Sequence, residues 1–484
     1  MMGLYATQLD CLLALLGVGT LLHEAFAPPR QDKRRLGYML AALVGVTLLY
    51  SFTLGALDEP LFHGMYRLDA FALFFKRLFL LATAVVLVMA TEFAPRFDSG
   101  AAEFYALILL CATGMMVIAS VNDFILLFVA LELVTVSFYV LASYLRRQSE
   151  SLEAGTKYLI LGALASGFNV YGISYVFGMT GTTNFDALRA QLSTIHGAAP
   201  PALLFGMLMV LAGLGFKMSC VPFQVWTPDV YQGAPTPVTA FLAVGSKAAG
   251  FALLLRVFYA GLLPLQGTWM TVLMVLAGAT LLYGNLGALP QHNIKRLLGY
   301  SSIGHAGYLL MGVSAGSALG ASAVLFYLGQ YAVTNLCAFL AIVAVTAATG
   351  DDEIPGFSGL HRRSPILAAA LFISMLSLAG VPPLSGFFGK FMLFVAVIQR
   401  AATDWRYYVL AAIGAAAVVI SLYFYLGVAR AMYLQESADR TPIRISWPVR
   451  AVLYGCMAAI VGLGVFQRPL WEASVEAARA FKLW

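Results

Sequence analysis

The feature that most constrains this 484-residue chain is the recurrence of apolar runs about twenty residues long, the length a helix needs to cross a bilayer's hydrocarbon core. Fourteen runs meet that rule, at approximately 5–26, 36–57, 68–92, 103–120, 122–144, 156–180, 202–226, 238–260, 268–287, 295–315, 321–348, 365–399, 406–433 and 447–467. No soluble domain fits between them. Charged residues make up 11% of the chain, against roughly 25% in a soluble domain, and mean hydropathy is +0.84. The expected fold is an all-α polytopic membrane protein, one membrane domain over 1–484 with about 14 transmembrane helices. The opening "MMGLYATQLDCLLALLGVG" lacks a basic leader and a small-residue cleavage site, and reads as the first helix rather than a signal peptide.

Basic residues gather in alternate short loops: "RQDKRR" at 30–35, "YLRRQ" at 144–148, Lys295 with Arg296, Arg362 with Arg363, and Arg440 to Arg450. The opposite loops hold chiefly Arg189, Arg400 and Arg406. The positive-inside rule makes the first set cytoplasmic, and an even number of crossings then puts both termini on the opposite face. The same clustering accounts for the formal net charge of +6 without nucleic acid as a partner. Cys11, Cys111, Cys220, Cys337 and Cys456 stand singly in apolar segments, with no paired spacing for a disulfide, zinc or iron–sulfur site.

Two runs call for a break. As one helix, 365–399 would be about 50 Å long, too long for a bilayer even when tilted. Within it "AGVPPLSGFFGK" sets Pro382 and Pro383 between glycines. Gly213, Gly215 and Pro222 likewise punctuate 202–226, so two discontinuous helices are expected. "LAGLGFKMSCVP" (211–222) and "LAGVPPLSGFFGK" (378–390) share a Leu-Ala-Gly lead, a Gly-Phe pair and a lysine, five spans apart. A duplicated unit with an odd number of helices re-enters the membrane upside down. The expectation is two inverted five-helix repeats, 103–260 (spans 4–8) and 268–433 (spans 9–13), with an ion path near the midplane.

A charge at the bilayer centre costs roughly 2.5–3.5 kcal/mol, so ionisable residues inside the runs are functional candidates. They are Glu132, Lys217, Lys247, His305 and Lys390, with Asp69, Lys76 and Arg77 in the third span. Each has a plainer reading. Glu132 and Lys217 would neutralise one another, His305 would be a packing residue, and Lys76 and Arg77 would snorkel or meet a partner helix. Three lysines on three spans facing one glutamate need more carboxylates than neutralisation supplies. Burial penalises a charged amine and a nearby carboxylate favours it, so such lysines can load and unload protons. The breaks are expected to set Lys217 beside the negative C-terminal end of one half-helix and Lys390 beside the positive N-terminal end of another.

Other chemistry drops out. "GFFGKF" at 386–391 has Leu384 where a phosphate loop needs glycine and Phe391 where it needs Ser or Thr. "GLGFKM" lacks the third glycine and the preceding strand of a dinucleotide site. The six histidines show no metal-ligand spacing.

At "PFQVWTPDVYQGAPTPVTAFLAVGSKAAG" (222–250) and "NIKRLLGYSSIGHAGYLLMG" (293–312) the sequence resembles the antiporter-like membrane subunits of respiratory complex I, over nearly the whole chain. The resemblance implies proton translocation coupled to NADH oxidation and quinone reduction. It implies proton carriers at Glu132 on the fifth span, Lys217 on the broken seventh, Lys247 on the eighth and Lys390 on the broken twelfth, with His305 linking two half-channels. Gln224 departs from the family, where many members have histidine before the tryptophan. The implied partners are other membrane subunits of the complex and membrane lipid, and the FMN, iron–sulfur clusters and quinone would belong to partner subunits, with no cofactor in this chain. A subunit of a multi-subunit cation/proton antiporter, and a structural spacer in a redox complex, are the alternative readings.

Overall fold

A computed structural model describes residues 2–26, 33–57, 59–97, 100–195, 198–436 and 441–483. Of the basic loop residues used above for orientation, Arg30 and Arg440 lie outside them. Helices dominate, because a bilayer core offers no water to unpaired backbone groups and a helix pairs them internally. Eleven of the described helical segments are long and apolar enough to cross a membrane.

The first six helices are α1 (Met2–Phe26), α2 (Lys33–Ser51), α3 (Ala70–Phe93), α4 (Ala101–Ala119), α5 (Phe124–Ala142) and α6 (Ser149–Thr180). A short α7 (Phe185–Leu192) precedes α8 (Pro201–Met218), α9 (Trp226–Gly233), α10 (Thr236–Phe241) and α11 (Lys247–Leu255). The second half runs through α12 (Gln266–Ala288), α13 (Ile294–Ser314), α14 (Ala318–Thr349), the single turn α15 (Leu360–Arg363), α16 (Pro365–Ala379), α17 (Ser385–Ala401) and α18 (Arg406–Leu434). It closes with α19 (Trp447–Val465) and α20 (Arg468–Ala478). Asp69, Asp123 and Asn293 cap α3, α5 and α13 by accepting from the first free backbone N–H groups.

The segment Thr236–Gly261 is buried throughout its best apolar window and α3 is buried over 83% of its own, whereas α19 is buried over 22%. The centre is therefore α3, α10, α11 and α14, and the rim is α1, α19, α6 and α18. Where helices approach most closely, glycine makes room. A Cβ on Gly172 would lie 2.6 Å from the Val210 nitrogen, and one on Gly206 would lie 2.9 Å from the Gly172 oxygen, so α6 and α8 touch backbone to backbone.

Three sequence expectations need correction. The run 36–57 is helical only to Ser51. Gly213 and Gly215 do not interrupt the seventh run: α8 passes through both and ends at Met218. A Cβ at Gly213 would lie 2.8 Å from the Ala165 oxygen, so close packing on α6 outweighs glycine's modest helix penalty of about 1 kcal/mol. The eighth run is not one regular helix, for wide π-type turns occupy Leu242–Ser246 and Arg256–Gly261 on either side of α11.

Candidate functional site

Each helical N–H bonds the carbonyl four residues earlier. The carbonyl of Met218 would thus need the N–H of residue 222, and those of Leu378 and Ala379 would need residues 382 and 383. All three positions are proline, which has no N–H. The helices stop there: Ser219 takes a left-handed φ of 60° after α8, and Gly380 a φ of 88° after α16.

Two lysines fill the freed carbonyls. Lys247 Nζ donates to the Met218 oxygen at 3.4 Å and to the Ser302 oxygen at 2.7 Å. Lys390 Nζ donates to the oxygens of Leu378 and Ala379, each at 2.9 Å. Lys217, in the last turn of α8, donates to the Tyr158 hydroxyl at 3.2 Å and lies 5.4 Å from the centre of that ring. All three side chains are buried. Lys390 corrects the expected dipole setting. Helical side chains lean toward their own N-terminus, so this one reaches back across the break and meets the negative end of α16.

Between Lys247 and Lys390 lies a buried row of hydroxyls. Ser302 Oγ is 3.0 Å from the Tyr231 hydroxyl and 3.3 Å from that of Tyr331. One turn on, His305 holds Tyr327 OH at Nδ1 (2.6 Å) and Tyr425 OH at Nε2 (3.0 Å), and Tyr425 is bonded to Ser301 Oγ. A tyrosine hydroxyl both gives and takes a hydrogen, so either imidazole nitrogen can carry the proton. His305 is thus buried and hydrogen-bonded at both ring nitrogens. The ring of Tyr139 packs 5.4 Å from that of Tyr158, the partner of Lys217, and its buried hydroxyl has no protein partner; past the break the same holds of Gln224 Oε1 and Thr227 Oγ1.

Glu132 stands apart. It is half-buried on α5, and its carboxylate accepts from Ser166 on α6 rather than from the Lys217 ammonium, whose hydrogen bond goes to Tyr158. The third-span charges have structural partners. Lys76 Nζ donates to both oxygens of Asp10 at 2.6 Å and to Tyr66 OH at 2.7 Å, while Asp69 caps α3 and takes a two-pronged bond from Arg256 at 2.6 and 2.7 Å. Arg77 donates to the Ser51 oxygen at 3.0 Å. Asp10 and Arg256 are buried charges that the sequence reading passed over, although the cost of intramembrane charge flags both. The tyrosines carried no such signal, since an uncharged aromatic is ordinary in an apolar run. At the end of the molecule bearing the basic loops, Asp229 on α9 joins Lys157 on α6 and Arg296 on α13, at 2.6 Å each. Partial burial pushes the Asp229 carboxyl up, but the hydrogen bonds from Lys157 and Arg296 outweigh it and hold the group below the usual carboxylate range. Among the described residues, no three His, Cys, Asp or Glu side chains gather as a metal site.

The family model "NADH:quinone oxidoreductase/Mrp antiporter, TM" matches residues 121–421, which include both breaks, Glu132, the three buried lysines and His305. The chain belongs to the NADH:quinone oxidoreductase/Mrp antiporter transmembrane family. Within that family it is 42% identical to a NADH-quinone oxidoreductase subunit N of Heliobacterium modesticaldum, over 97% of this chain and 98% of the relative. A chain of respiratory complex I from Thermus thermophilus superposes with a TM-score of 0.78 at 33% identity, covering 96% of this chain and 98% of that one. A chain of the Mrp complex from Dietzia sp. DQ12-45-1b reaches 0.84 at 23% identity over 99% and 97%, a likeness of fold alone. The matched region thus holds the candidate site apart from Tyr425, and the chain is a multi-pass membrane protein of that family.

Proposed function

We propose that this chain is the N subunit of a bacterial NADH-quinone oxidoreductase and moves protons across the plasma membrane as redox chemistry proceeds in partner subunits. The observation that carries the reading is the set of three buried lysines on separate helices, two of them bonded to carbonyls that prolines set free, with His305 and its tyrosines between them. Resemblance to subunit N, at 42% identity over nearly the full length, favours an oxidoreductase arm over a free-standing antiporter.

In this reading the chain crosses the membrane fourteen times, the broken runs 202–226 and 365–399 each counting as one span, and both termini face the periplasm. Residues 103–260 and 268–433 are inverted five-helix repeats. Withdrawal of Glu132 from Lys217 lowers the proton affinity of that lysine. Lys217 takes a proton from the cytoplasmic side and passes it through Lys247 and His305 to Lys390, which releases it on the far side. FMN, iron–sulfur clusters and quinone reside in partner subunits. Moving one charge against 100 mV costs about 2.3 kcal/mol, a change that rearranging hydrogen bonds around a buried ammonium can supply.

The test is NADH-driven proton uptake by inverted membrane vesicles carrying Lys217→Ala, with complex assembly and NADH oxidation by an artificial acceptor as controls. Loss of uptake in an assembled complex is expected. Unchanged proton uptake per NADH would reduce Lys217 to a structural charge and favour the spacer reading.

A further inference from the structure

A large groove lies where the last turns of α18 meet the start of α13 and the loop before α15. Its volume is about 1070 Å³, above the roughly 300–1,000 Å³ of ordinary small-molecule sites. Two chemistries line it. Arg430 and His292, with the amides of Gln291 and Gln435, supply cationic and hydrogen-bonding groups, while Phe372 and Phe424 belong to its apolar wall. No carboxylate lines it, and Arg430 has no ion pair among the described residues. The apolar surface continues outward over Tyr423 and Leu434, which are 73% and 79% exposed.

A cation with no counter-ion among the described residues, beside a long apolar trough, calls for a ligand with an anionic head and a hydrocarbon body. Arg430 stands one turn before the end of α18, on the side of the basic loops, the depth at which lipid phosphates lie on the cytoplasmic face. Basic pockets between helices at that level suit acidic headgroups. We propose that this groove binds one anionic phospholipid, its phosphate on Arg430 and an acyl chain along α18 past Gly427. The glycine has a physical use here: nothing lies within 4 Å of a Cβ built on it, so the trough stays open over the helix backbone. The inference does not depend on the proton-transfer reading, because Arg430, His292 and Gly427 are not among the groups bonded to the three lysines or to His305.

The experiment uses the chain purified with its native partners, delipidated, and exposed to phosphatidylglycerol carrying a diazirine on one acyl chain. Cross-linked peptides are mapped by mass spectrometry. Wild type is expected to give adducts on the Tyr423–Leu434 segment that excess unlabelled phosphatidylglycerol removes, and that phosphatidylcholine or inorganic phosphate does not. Arg430→Gln removes one interfacial cation and is expected to weaken labelling about fivefold. Gly427→Phe, whose Cβ meets nothing within 4 Å, puts a ring into the trough and is expected to abolish labelling there, with lipid adducts elsewhere unchanged. Equal labelling of wild type and both variants would overturn the proposal. So would loss of a neighbouring subunit from Gly427→Phe, which would make the occupant of the groove a protein.

Discussion

At the scale of the residue, the governing fact is that a buried charge must find a partner or be paid for in stability. Lys390 and Lys247 find carbonyls left over by prolines, and those partners are neutral, so each amine can lose its proton without stranding an opposite charge. Lys76 is the contrary case. Its partner is a carboxylate, Asp10, gripped at both oxygens and shared with Tyr66, a geometry for holding charge in place. Lys76→Ala leaves the buried Asp10 carboxylate with no cation and only the Tyr66 hydroxyl as a partner, and is expected to cost about 3–5 kcal/mol, seen as a lowered thermal midpoint of the purified complex. Replacing both residues by leucine should recover most of that loss, because apolar substitutes of similar volume fill a dismantled buried pair without a desolvation penalty. A double variant as unstable as Lys76→Ala would show that the pair does more than neutralise itself.

At the scale of the element, the short helix α9 shows how polar contacts fix a segment too short to hold itself. Eight residues form a marginal helix in isolation. Asp229 ties this one to α6 through Lys157 and to α13 through Arg296. Asp229→Asn is expected to keep the fold and speed amide hydrogen exchange in residues 226–233 severalfold, leaving α14 unchanged. The pH sign follows from the depressed carboxyl. Its contribution is complete above the ordinary Asp value of 3.8 and fades as pH falls below it through the lower folded value. Faster exchange of α9 in wild type on going from pH 7 to pH 5 would contradict this account.

At the scale of the whole molecule, close helix contacts hold the two breaks in register. The backbone contact of α6 with α8 places Tyr158 beside Lys217, and the packing of α13 against α14, α17 and α18 gathers the tyrosines around His305. Gly172→Leu would drive a side chain into the Val210 backbone and is expected to prevent assembly of the chain into its complex. Gly178→Leu, on the same helix with nothing within 4 Å of its Cβ, should assemble normally. Membrane fractions probed for assembled complex distinguish the two, and equal assembly would contradict the backbone contact.

Class, approximate helix positions and the candidate residues were legible in the linear sequence because they rest on local physics. Twenty apolar residues span a bilayer, proline cannot donate, and charge in hydrocarbon is costly wherever the chain folds. That reasoning found Glu132, Lys217, Lys247, His305 and Lys390 as unusual residues, but it could not say what each touches. The lean of Lys390 back to α16, the pairing of Asp69 with Arg256 across 187 positions, and the meeting of His305 with a tyrosine 120 residues away were decided by the tertiary structure. An apolar run also looks alike whether it faces lipid or core, so burial of α3, α10, α11 and α14 and exposure of α19 left no mark on composition. Hydrophobicity commits a segment to the membrane; only packing against other helices selects the carbonyl, hydroxyl or carboxylate that each buried charge will meet.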